Sequence, residues 1–184
     1  MKVIVLVLLA AGLTGVAASV FFDETPTTTG KAFTSDSIKL SATPGTTAIT
    51  FANMAPGDKL TAPITVTNTG TAPARYSVLS TTDADFLAAQ LDLTVKTGVG
   101  SCDNKGFALT GTAVYRAADL GSVAGTKVIG DSATGAQAGD RTLATEGSEV
   151  LCAQILLPLE TGASYQRRTT TATFTFNAEQ TNKK

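Results

Sequence analysis

The sequence predicts an all-β domain, a β-sandwich or jelly roll, and three observations carry that prediction. Short stretches of alternating apolar and polar residues recur along the chain, separated by Gly, Pro and Asn turns. Threonine is heavily used, in runs such as TTT at 27–29 and TTTAT at 169–173, and it suits the pleated, half-solvated face of a sheet. Helix-forming stretches are short, tryptophan is absent, and aromatic residues make up only 6% of the 184. That length supports one domain with its own core, and neither an internal repeat nor a second domain is visible.

The chain opens with VIVLVLLAAGLTGVAA at 3–18, an apolar run behind Lys2. Its length matches a signal-peptide core and falls short of a membrane span. Val16/Ala18 and Ala17/Ser19 are two acceptable −3/−1 pairs, which places cleavage near Ser19 or Val20 and makes 1–19 the signal peptide. A retained N-terminal anchor is the alternative. Residues 20–33 form the next unit. Val20, Phe21 and Phe22 are apolar, 23–31 are polar, Thr-rich and interrupted by Pro26 and Gly30, and Phe33 follows. Such a composition is an extended, flexible tether. The sandwich domain then covers 34–180, and 181–184 is a polar tail.

Within the domain the strand signals come in quick succession. SIKLSA (37–42) alternates around Ile38 and Leu40, AITFA (48–52) around Ile49 and Phe51. LTAPITVTN (60–68) carries Ile64 and Val66 on one face, and ARYSVLS (74–80) pairs Tyr76 with Val78. TDADFLAAQ (82–90) breaks the alternation behind capping residues, so one or two helical turns are expected there. QLDLTVKT (90–97) returns to period two. The segment 98–148 is the hardest to read, with strand signals at GTAVYRA and TKVIG and a Gly/Ala-rich loop at DSATGAQAGDR. EVLCAQILLP is apolar on both faces, as a central strand covered on two sides would be. TTATFTFNAE (170–179) aligns Ala172, Phe174, Phe176 and Ala178. One strand is awkward: Pro63 lies inside 60–68, and a proline cannot donate to a sheet ladder. Its strand therefore needs an open flank, and an open flank invites another chain.

Composition excludes several function classes. Charged residues are 16% of the chain and the net charge is −1, which is no electrostatic footprint for nucleic acid. Histidine is absent, so H-E-x-x-H zinc sites and His-containing hydrolytic triads are ruled out together. Asp83 and Asp85 could offer carboxylates to calcium, but the loop lacks the length and ligand number of a hard-ion cage; a helix N-terminus is the better reading. LPLETG at 157–162 is one residue longer than a cell-wall sorting signal and is followed by a polar strand, so it reads as a turn; Arg167 and Arg168 read as a solvated pair. No catalytic residue, metal site or cofactor is expected. Two cysteines in an exported chain imply one disulfide, Cys102 to Cys152, worth roughly 4 kcal/mol by loop-closure entropy.

Several pieces taken together resemble a known family. FFDE follows the signal, and AFTSDSIKLSA comes next. ITFANMAPGDKLTAPITVTNTGTAPARYSV has an aromatic–Asn–x–x–Pro-Gly-Asp turn and an Asn-x-Gly hairpin. SEVLCAQILLPLETGASYQRRTTTATFTFNAEQTN has a Leu-Pro, a Tyr-Gln and a Phe-x-Phe-x-Ala-Glu-Gln-Thr ending. In this order, over about two thirds of the mature chain, they are similar to the secreted TasA/CalY (camelysin) family of biofilm-matrix fibre proteins, with related archaeal bundling pilins. The middle, 98–148, departs most. The resemblance implies a jelly-roll subunit that polymerises into extracellular filaments, the N-terminal segment of one subunit completing the sheet of the next. Some members have been classed as metallopeptidases, a label that a chain without histidine does not support.

Physical chemistry reaches the same polymer. Cleavage near Ser19 leaves Val-Phe-Phe on a free end, and each such side chain gains roughly 1.5–3 kcal/mol on burial. The expected donor residues are Val20, Phe21, Phe22 and Phe33, and the candidate acceptor edge holds Ile64 and Val66, although the sequence does not say which edge accepts. The expected partner is the chain itself, in a head-to-tail homopolymer, together with other matrix or surface proteins; no nucleic acid is expected, and no membrane after cleavage. Secretion to the cell surface or biofilm matrix follows. The alternatives are an N-terminus folded back into its own sheet, as in a monomeric adhesin or accessory matrix protein, and, least favoured, a secreted peptidase.

Overall fold

The computed structural model describes residues 20–21, 39–43, 48–84, 86–165 and 167–181. The predicted signal peptide, Phe22, Phe33 and Asp85 lie outside these. Eleven strands are described: β1 (Val20–Phe21), β2 (Lys39–Thr43), β3 (Ala48–Ala52), β4 (Lys59–Asn68), β5 (Ala74–Thr82), β6 (Asp92–Thr97), β7 (Thr112–Asp119), β8 (Thr126–Ile129), β9 (Arg141–Leu143), β10 (Ser148–Leu156) and β11 (Thr169–Gln180). The first sheet runs β1-β2-β4-β10-β6-β7 and the second β3-β11-β5-β8, with β9 also on β5; every named pairing is antiparallel. From β2 to β7 the chain crosses between sheets at every step except the β6–β7 hairpin, and it crosses again into β8, β10 and β11. The architecture is the predicted jelly-roll-like sandwich.

Alternation decides which side chains fill it. On β10, Leu151, Ala153 and Ile155 are buried; on β6, Leu93 and Val95; on β5, Tyr76 and Val78; on β11, Ala172 and Phe174. These inward faces meet in one core cluster that also holds Phe51, Val66 and Leu157. The expectation of a central, doubly covered strand is met by β10, which stands between β4 and β6 and buries Cys152 on its other face. The expected helical turn is a single 3-10 turn, Ala88–Gln90.

Two elements in 98–148 escaped the sequence reading. The first is α1 (Asn104–Leu109), capped by Asp103, whose Oδ1 accepts from Gly106 N at 2.7 Å. Hydrogen bonds from Gly106 and Ser101 hold the Asp103 carboxyl below its ordinary value. Gly106 must be glycine, because a Cβ there would lie 2.0 Å from the Ser101 carbonyl oxygen. The disulfide Cys102–Cys152, with Cα atoms 5.6 Å apart, ties this loop onto the outer face of the first sheet. There Thr61 Oγ1 donates to Asn104 Oδ1 at 2.6 Å, and Lys96 Nζ donates to the Phe107 carbonyl at 2.6 Å while lying over its ring. The second is β9, three residues long and too short to show a period.

β9 helps tie the sheets together. The Tyr76 hydroxyl on β5 donates to Glu149 Oε1 on β10 at 2.6 Å, and Arg141 on β9 bonds the same carboxylate with Nη2 at 2.7 Å. Burial first, then the neighbouring Glu149, pushes the Tyr76 phenol far above its ordinary value of about 10. The unfolded chain therefore ionises first, so the stabilisation is complete below pH of about 10 and is lost as pH rises beyond it, by roughly 1.4 kcal/mol per pH unit. Urea unfolding between pH 8 and 11.5 is expected to show this fall in the parent and a shallower one in Tyr76→Phe. Parallel curves for the two would show that Tyr76 ionises normally in the fold. Tyr115 is raised too, by partial burial, and supplies the residual slope.

Candidate functional site: a groove between two open strand edges

The flanks of β4 differ along its length. On one side β10 pairs with all of it but Asn68, from Lys59 opposite Leu156 to Thr67 opposite Ser148. On the other, β2 pairs only with its second half, from Thr65 opposite Thr43 to Asn68 opposite Leu40. Among the described residues, Lys59–Ile64 therefore has one strand neighbour. Pro63 falls in this half, where a missing N–H costs no bond to a second neighbour. The expected acceptor edge is corrected accordingly. Val66 is no edge residue, since it stands between Ala42 of β2 and Glu149 of β10 and is buried. Ile64 does lie on the open half, opposite Leu151 alone.

A second open edge lies across the sandwich. β3 pairs with β11 and, among the described strands, with no other. The turn joining β3 to β4 holds the two edges together. Asn53 and Gly57 take positive φ (55° and 91°), the Asp58 carboxylate accepts from Ala55 N at 2.8 Å, and Gly57 N donates to the Leu157 carbonyl at 2.7 Å. Between the edges is a groove of about 260 Å³ lined by Phe51, Met54, Lys59 and Leu60, among others. That is smaller than the ~300–1,000 Å³ usual for a small-molecule site, and it suits one or two apolar side chains better than a substrate.

Leu60 gives the groove its character. It stands opposite Ile155, which is fully buried, so its side chain takes the inward face of the sheet. Yet Leu60 is 41% exposed, because no strand of the described fold closes that corner. An inward-facing leucine left half in water is an incomplete piece of core.

The N-terminal strand lies at the other end of β4. Val20 pairs with Leu40 and Phe21 with Lys39, while Leu40 itself pairs with Asn68. These two residues of the expected donor segment thus pair with β2 of their own chain, at the end remote from Leu60. Asn68 anchors that end. Its buried amide donates to the Ala72 and Ala144 carbonyls at 2.8 and 3.0 Å and accepts from Gly70 N at 3.0 Å. The predicted disulfide is present. Asp83, considered for calcium, has both oxygens engaged, one by Thr170 Oγ1 at 2.5 Å and one by Thr171 N at 2.9 Å. Pro63 was the one sequence signal of the half-open strand; nothing in the sequence announced the contribution of β3 or the inward aim of Leu60. No protein-family model matches the sequence, and no curated protein matches it.

Proposed function

We propose that this chain is the structural subunit of an extracellular filament of the TasA/CalY kind, polymerising head to tail by strand addition. Residues 20–33 of one copy enter the groove beside Lys59–Ile64 of the next, extending the first sheet where β2 stops. The supporting observation is the half-exposed, inward-facing Leu60 on a half-strand that, among the described residues, is paired on one side only, with the N-terminal strand at the opposite end of β4. A donor at one end and an acceptor at the other make a heterologous contact, which does not close on itself and so propagates. Main-chain pairing supplies directionality, and pockets for alternate side chains supply register.

With residues 20–33 inserted, residues 34–38 link the segment to β2 and can span at most roughly 17 Å at about 3.3 Å each, so the two copies would lie against each other. Leaving β2 forfeits two residue pairs, a small loss against burying the one or two apolar side chains that an added strand turns into the groove, at roughly 1.5–3 kcal/mol apiece. Secretion and a place in the cell-surface matrix belong to the same proposal. It assigns no catalysis, and the chain has no histidine.

Negative-stain microscopy of the processed chain, with and without residues 20–33, tests the proposal. Filaments are expected only from the intact form; equal filaments from both would end the strand-donor reading. A second reading, a monomeric secreted adhesin or accessory matrix protein, is favoured by the pairing of β1 with its own β2. It predicts a single sedimenting species at all concentrations.

A further inference from the structure

Of the six exposed large apolar side chains among the described residues, four sit at the groove end of the sandwich: Leu60, Phe86, Val123 and Leu159. They come from four separate chain segments, which helix or strand periodicity within one element does not explain. Three join into one strip. Leu159 leans on the β3–β4 turn, where a Cβ at Gly57 would come within 2.9 Å of its Cδ2. Asn53, at the start of that turn, donates to the Arg168 carbonyl at 3.4 Å, and the Arg168 guanidinium lies 5.8 Å from the centre of the Phe86 ring. Phe86 is 70% exposed and Leu159 78%, both more than Leu60.

We infer that Phe86 and Leu159 form a seat for the body of a second copy of this chain, separate from the groove that takes its strand. The inference rests on the filament reading above. Two observations favour this occupant. The N-terminal strand leaves at the far end of β4, so a segment lodged in the groove draws the far end of its own sandwich toward these loop tips. Charge argues against an anionic bilayer: Lys59, Arg167 and Arg168 are offset at the same end by Asp58, Asp83 and Glu160, which leaves no net positive field to hold lipid headgroups. A contact that hides two rigid apolar side chains while excluding water is the usual core of a protein interface.

Two readouts on the processed chain separate the seat from the groove. Binding of a labelled 20–33 peptide, followed by fluorescence anisotropy, reports the groove; the critical concentration for assembly, from sedimentation, reports the seat. The double variant Phe86→Ser/Leu159→Ser is expected to bind the peptide as the parent does and to need at least about tenfold more protein to assemble. Assembly at the parent's concentration overturns the seat while leaving the groove intact. Loss of peptide binding in the variant also overturns it, since the two residues would then belong to the groove. A parent that binds no peptide removes the strand-donor reading instead. Co-sedimentation of the parent, but not the variant, with phosphatidylglycerol vesicles would assign the strip to lipid and overturn the inference.

Discussion

On the strand-donor proposal, a chain carrying Leu60→Asp is expected to remain monomeric at concentrations where the parent would form filaments. The carboxylate would face the incoming Val-Phe-Phe segment from the inward side of the sheet, and docking would strand it away from water without a partner. Burying an unpaired charge costs several kcal/mol, enough to cancel the gain from the apolar side chains. The isolated fold should barely notice, because Leu60 is already 41% exposed and its Asp replacement can stay hydrated. Sedimentation velocity measures the first effect and thermal unfolding the second. Val123→Asp, at an equally polar-tolerant exposed site outside the groove and the seat, should assemble normally. If Leu60→Asp assembles at the parent's concentration, the acceptor lies elsewhere, and the outer edge of β3 becomes the next site to test.

Opening the disulfide is the largest expected change in stability. The bond closes a loop across 50 residues of sequence, so its loss should cost roughly 4 kcal/mol, or about 8–16 °C in Tm for a domain of this size. The same change has a local consequence. A six-residue helix does not hold itself, and α1 otherwise depends on Phe107 packing and on bonds from Thr61 and Lys96. The Cys102→Ser/Cys152→Ala variant should therefore be cut by trypsin at Lys105 well before the sandwich unfolds. Urea denaturation measures the global cost and limited proteolysis the local one. A midpoint unchanged by the variant would mean that the loop is held by packing alone, with the bond incidental to stability.

Much of the fold was legible because alternation records which side chains face inward. AITFA, LTAPITVTN, ARYSVLS, DLTVKT and the TFTF strand all stand within a residue or two of where their period placed them, and the apolar run at 149–158 became the central strand. The cysteine pair was readable from there being two cysteines in the chain behind an expected signal peptide. α1 was not, because its hydrophobic face is essentially one residue, Phe107, and its cap is a single Asp in a turn-rich loop. β9 is three residues long and has no period to read.

What the sequence by itself determined about this protein is therefore its class, most of its strands, the face each turns inward and its one crosslink. The tertiary structure alone decided who stands beside whom: that, among the described residues, β2 covers only half of β4, Val66 is interior while Leu60 is open, and β3 faces the same gap. The physical reason is that a period of two is local and survives in the sequence. An edge is the absence of a neighbour, set by pairing between segments far apart in the chain, and a single strand's residues do not encode it.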